Sequence, residues 1–132
     1  MKFDLENLNP GTFFPFSDGT EGGVTIRVAS GDALSEIEKK CVKRKFEWKR
    51  NQRFEVIDED DEKRSLMMWD YVIIDWDGIF DLNDAPIPCN KANKNLLMQN
   101  SVKFSTFVGK CIQKLNEQME EYEEELEKNL QK

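Results

Sequence analysis

The chain has 132 residues, the length of one domain, with 39% hydrophobic and 34% charged residues, a net charge of -7 and a mean hydropathy of -0.68. That balance supports a folded protein with a high ratio of surface to core and excludes a membrane span, since no apolar run approaches the roughly 18 residues one needs. It contains no histidine, so Ser-His-Asp, Cys-His and HExxH chemistry is excluded, and a non-enzymatic role is expected.

MKFDLENLNP has no apolar signal-peptide core, so the protein is expected to be soluble and cytoplasmic. TFFPFSDGTEGGVTIRV reads as a first β-hairpin: Phe13, Phe14 and Phe16, turn material, then Val24, Ile26 and Val28 in alternation. Pro15 lacks the N–H a central strand must donate, which places its strand at a sheet edge. GDALSEIEKKCVKRK carries Leu34, Ile37, Cys41 and Val42 at helical spacing, with Asp32 as the expected N-cap and lysines in the last turn. KFEWKRNQRFEVI returns to period two and predicts a second hairpin, with Phe46 and Trp48 on one strand, Phe54 and Val56 on the other, and its turn at Asn51.

Five consecutive acids, Asp58 to Glu62, then precede Leu66, Met67, Met68, Trp69, Tyr71, Val72, Ile73 and Ile74. Acids at the positive end of a helix and apolar residues around most of its circumference predict a buried central helix from Asp60 to Asp75, with Gly78 at its exit. Trp69, Val72, Ile73 and Trp76 are expected to pack with Leu34, Ile37, Phe54 and Val56. The aspartates of WDYVIIDWDGIFDLNDAPIPC invite a cation, yet counting an EF-hand from Asp75 or Asp81 puts Ile79 or Ala85 where an oxygen ligand belongs. Turn chemistry explains them better, with Asn83-Asp84 in a short hairpin, and no metal or cofactor is expected.

Asn90 caps a predicted helix, KANKNLLMQ, that breaks near Asn100 and Ser101. From Val102 onward no proline intervenes, and a single helix to about Gln131 would be on the order of 45 Å long. Phe104, Val108, Ile112, Leu115, Met119, Tyr122 and Leu126 recur on it at three- and four-residue steps, inside a surface that becomes rich in glutamate. A helix that long outruns so small a domain, so these seven residues are the expected partner-binding seam, used in a homo-oligomer or with a helical client. The fold class is therefore α+β: a domain over residues 1–100 built from two hairpins, a short helix and a central helix, followed by a helical arm over 101–132.

Two further features bear on function. Cys41, Cys89 and Cys111 are odd in number and lack CxxC spacing, as buried thiols in a reducing compartment would. Between Lys39 and Arg53 lie eight of the 19 basic residues, interleaved with Phe46 and Trp48. Such a stretch invites nucleic acid, but the net charge and the acids immediately downstream oppose phosphate binding, and an acidic protein helix, such as another copy's C-terminal arm, fits equally well.

The order of these signals, a helix ending in KKC, a hairpin strand FEVID, WDYVIIDWDG, a turn, PIPCN followed by NKNLLM, and a final FSTFV helix, resembles small tail proteins of long-tailed bacteriophages and prophages, the tail assembly chaperones. The resemblance spans roughly Gly22 to Leu115. It departs at the last short helix, where similar sequences begin Thr-Pro-Glu and this chain has Asn90, Lys91 and Ala92. What it implies is a protein that keeps the apolar, helical tape-measure protein soluble while the tail tube assembles around it, with no catalytic residues to carry over. A structural tail or connector subunit of the virion and a nucleic-acid-binding regulator using residues 39–53 are the alternatives.

Overall fold

A computed structural model describes residues 1–2, 5–6 and 9–130, apart from the side chains of residues 119, 122 and 123. Strands β1 (Thr12–Pro15) and β2 (Gly23–Ile26) form the first hairpin, with Thr12 opposite Ile26 and Pro15 opposite Gly23. A third strand, β5 (Ile73–Asp77), pairs antiparallel with the other edge of β2, so the sheet order is β1-β2-β5 and Pro15 lies on an edge strand as expected. Being central, β2 buries Val24 and Ile26 completely. At the turn of the hairpin, the Asp18 carboxylate accepts hydrogen bonds from the hydroxyl and the backbone N–H of Thr20 and pairs with Lys103 at 3.1 Å.

Those bonds favour the charged carboxylate, the Thr20 hydroxyl foremost, and hold the Asp18 pKa down at about 2. A depressed pKa means that the contribution is present above the ordinary carboxylate value and is lost as pH falls toward 2. We expect the side-chain carbon resonance of Asp18 to titrate near 2, and Thr20→Val to raise that midpoint more than Lys103→Ala does. An unchanged midpoint in Thr20→Val would show that the hydroxyl is not the main cause.

Helix α1 (Gly31–Cys41) is capped by Ser30, whose hydroxyl accepts from the Ala33 N–H at 3.2 Å, and not by Asp32. An N-cap needs extended backbone, which Ser30 has at φ -69° and ψ 162°, while Asp32 already lies in the first turn and favours the helix through its charge. Strand β3 (Val42–Lys49) follows without a linker and pairs with β4 (Gln52–Glu59) in a separate two-stranded sheet. Arg50 and Asn51 turn it at φ 52° and 62°, the primed geometry that matches strand twist, and Asp60 N–H bonds Cys41 O at 2.9 Å across its base.

Asp60 caps α2 (Asp61–Val72) by accepting from Lys63 N–H, with Asp61 and Glu62 in the first turn. The expected helix to Asp75 stops three residues short: at Ile73 the backbone becomes extended and enters β5. Pairing with β2 satisfies the backbone of the apolar residues after the helix, and Arg27 N–H caps the sequence of bonds by donating to Val72 O at 3.0 Å. Asp75 and Asp77 are consequently strand residues, and Gly78, at φ 77°, ends a strand rather than a helix. The next turn runs as expected: Ile87 N–H bonds Ile79 O, Phe80 bridges Pro86, and Asp84 adopts φ 60°.

Asn90 caps α3 (Lys91–Asn100), accepting from Asn93 N–H at 2.8 Å. The Lys94 side chain, 8% exposed, ties α3 to α2 through the carbonyl and carboxylate of Asp70 at 3.1 and 3.3 Å. After the break at Ser101, α4 (Val102–Leu130) runs for 29 residues. One core joins the three-stranded sheet to α2 and α4: Val24, Ile26, Val72, Ile73, Trp76, Phe104, Val108 and Cys111. The fold is α+β, with a C-terminal helix. Of the expected core, Val72, Ile73, Trp76 and Ile37 are buried, and Trp69 and Val56 only in part. Leu34 and Phe54 are exposed, at 42% and 46%, because the second hairpin projects from the α1–α2 junction instead of folding over α2.

Candidate partner-binding site

Helix α4 divides its apolar seam between two environments. Phe104 and Val108 are buried, at 8% and 0% exposure, in the protein's own core, and Ile112 and Leu115 pack against that core. This corrects the expectation that all seven residues face a partner. The reason is the first sheet: its inner face of Val24, Ile26 and Trp76 needs a helix, and the first turns of α4 are the helix that covers it, with Trp76 and Phe104 edge-to-face at 5.7 Å. Met119 and Tyr122 fall outside the described side chains. Leu126 is 37% exposed and Leu130, one turn further, 85%.

From Asn116 to Leu130 the helix carries seven glutamates against the single basic residue Lys128. Fifteen residues at about 1.5 Å each extend it some 22 Å past the core. None of the described side chains of that segment is buried, so its helicity rests on propensity and on the length of the helix behind it.

The second uncovered surface lies on the β3–β4 hairpin. Antiparallel partners share a face, and the register places Phe46 opposite Glu55, Trp48 opposite Arg53 and Arg44 opposite Ile57. One face therefore collects Arg44, Phe46, Trp48, Arg53, Glu55 and Ile57, while Phe54 and Val56 point to the other. Phe46, Trp48 and Ile57 are 55%, 71% and 56% exposed. The sequence showed the aromatic and basic residues of this segment and its turn at Asn51; the register adds which residues of the two strands share a face. Its charges are partly engaged within the hairpin: Arg44 with Glu55 and Lys45 with Asp58, both at 3.6 Å, and the Arg53 guanidinium 3.7 Å above the Phe46 ring.

A groove of about 580 Å³ between α1, α2 and the start of α3 is lined by Arg27, Lys40 and Lys91 and by Asp32, Glu36 and Asp70. Charges of both signs alternate around it, so it concentrates neither anion nor cation binding. Within it Arg27 lies 3.9 Å over the Tyr71 ring and donates to the Tyr71 carbonyl; a hydrogen bond with Ser30, and then the guanidinium, draw the Tyr71 hydroxyl below its ordinary pKa.

The aspartates after α2 hold backbone: Asp75 Oδ1 accepts from Trp76 N–H, and Asp81 Oδ1 from the N–H groups of Asn83 and Ala85. Saturating calcium is accordingly expected to leave the melting temperature unchanged, whereas a bound cation at a hundredfold excess over its dissociation constant would add about 2.7 kcal/mol. A calcium-dependent rise in melting temperature would overturn the turn assignment. Burial raises the pKa of the Cys89 and Cys111 thiols, which opposes thiolate reactivity. No helix among the described residues is long and apolar enough to cross a membrane.

A family model described as YdaY prophage protein matches residues 26–129, from the last residue of β2 to the end of α4. No curated protein and no solved structure matches.

Proposed function

The chain belongs to the YdaY prophage protein family, and we propose that it is a non-enzymatic phage tail assembly chaperone that holds the helical tape-measure protein soluble in the host cytoplasm. The observation that carries this reading is the outer half of α4, where Leu126 and Leu130 are exposed on a strongly acidic helix that has left its own domain. A holding protein needs an apolar strip that exchanges one helical partner for another, and enough charge to stay soluble with the strip uncovered. The client class is an amphipathic helix, which such a strip meets side by side. The absence of histidine supports a role without acid–base chemistry. A hairpin with four exposed large apolar side chains favours one other reading, a structural tail or connector subunit that uses the hairpin for permanent contacts.

Asp at both Leu126 and Leu130 is the test, because neither side chain belongs to the core, whereas Leu115 does pack against it. The double variant is expected to melt as the parent does and to lose solubilisation of a co-expressed long helical tail protein. If it still holds that protein in solution, the strip is a passive tail. Recovery of the wild-type chain in purified particles would favour the structural subunit.

A further inference from the structure

We propose that the aromatic, arginine-bearing face of the β3–β4 hairpin is the docking site for the acidic end of α4 from a second copy of this chain. The contact goes beyond the holding role and needs no client. Both surfaces are apolar and uncovered: Phe46, Trp48 and Ile57 on the hairpin, Leu126 and Leu130 on the helix. Their charges are complementary. The hairpin from Val42 to Glu59 carries six basic residues against four acidic ones in a chain whose net charge is -7, and the α4 segment from Asn116 to Leu130 has seven glutamates and one lysine.

Geometry selects a second copy over the same chain. Helix α4 is continuous for 29 residues from its seat on the sheet, so its end cannot fold back, and the hairpin's aromatic face stays uncovered within one chain. A lone two-stranded hairpin is marginal in water, and a helix laid across its face supplies the third element that such a sheet needs. Trp48 offers a large, exposed anchor, and Arg44 and Arg53 on the same face meet glutamates spaced along the helix. Nucleic acid fits this face less well, because Asp60, Asp61 and Glu62 follow at once in a chain whose net charge is -7, and phosphate binding rests on charge neutralisation.

The test is sedimentation of the full chain over a range of concentration at low and high salt. Wild type is expected to self-associate and to dissociate as salt rises. Trp48→Ala should weaken association by about tenfold or more, as removal of an interface anchor does. Arg44→Glu with Arg53→Glu makes the hairpin acidic, and Glu124→Lys with Glu127→Lys makes the last two turns of the helix, residues 124–130, basic. Each variant alone should stay monomeric, and a mixture of the two should associate. If Arg44→Glu and Arg53→Glu loosen the hairpin, Trp48→Ala, which breaks no ion pair, still decides. A monomeric wild type at every concentration, or Trp48→Ala associating as wild type does, would overturn the contact. Duplex DNA binding that the hairpin variant abolishes while self-association persists would assign the face to nucleic acid instead.

Discussion

Trp76→Ala is expected to lower stability by about 3 to 5 kcal/mol, the range for removing a large aromatic from a packed core. Trp76 is 8% exposed, meets Phe104 edge-to-face, and donates its indole N–H to the Ile87 carbonyl at 2.7 Å. Truncation opens a cavity between sheet and α4 and leaves that carbonyl without its donor, so transfer, packing and hydrogen-bond losses fall together. A domain stable by roughly 5 to 15 kcal/mol would be left near its threshold. Trp69, only partly buried, should cost less. Thermal or urea unfolding of the two variants settles the order, and a larger loss for Trp69→Ala would mean that α2 rather than β5 carries the centre of the core.

The second large effect is expected at Gly78. It lies at φ 77°, and a Cβ there would come within 2.2 Å of the Glu21 carbonyl oxygen, while a Cβ on Gly22 would lie as close to the Asp77 carbonyl oxygen. The two glycines face each other where β2 and β5 begin their pairing, so a side chain must push backbone from backbone. Gly78→Val combines the left-handed penalty of about 1 to 2 kcal/mol with about 1 to 3 kcal/mol of overpacking. Gly19→Ala is the control: its φ is 84° but no atom lies within 4 Å, so it should show the conformational cost alone. If both variants melt alike, the close approach at Gly78 is relieved without cost.

The starts of α2 and α3 and the hairpin turns were legible because their determinants are local, whereas the cap of α1 and the end of α2 were not. Asp60 precedes a run of acids, Asn90 stands three residues before the N–H it binds, and Asn51 marks a turn of two residues. The uninterrupted α4 was equally plain, since nothing within it breaks a helix. The candidate surfaces were half legible. An apolar seam on α4 and a basic, aromatic stretch at residues 39–53 are properties of sequence, but the fraction of each that stays uncovered is not.

Local sequence therefore sets the menu of elements: two hairpins, the α+β composition, the capped starts of α2 and α3, and a C-terminal helix too long for its domain. How apolar residues are shared among those elements is a matter of packing. Ile73 and Ile74 read as the end of the central helix, but the open edge of β2 drew them into β5 because paired backbone and a buried Ile73 outweigh three more helical residues. That strand created a sheet face requiring a cover, α4 supplied it with Phe104 and Val108, and among the described residues the aromatic face of the second hairpin stayed exposed. Periodicity tells which side of an element is apolar, but which element covers that side is set by competition among all of them for one small core.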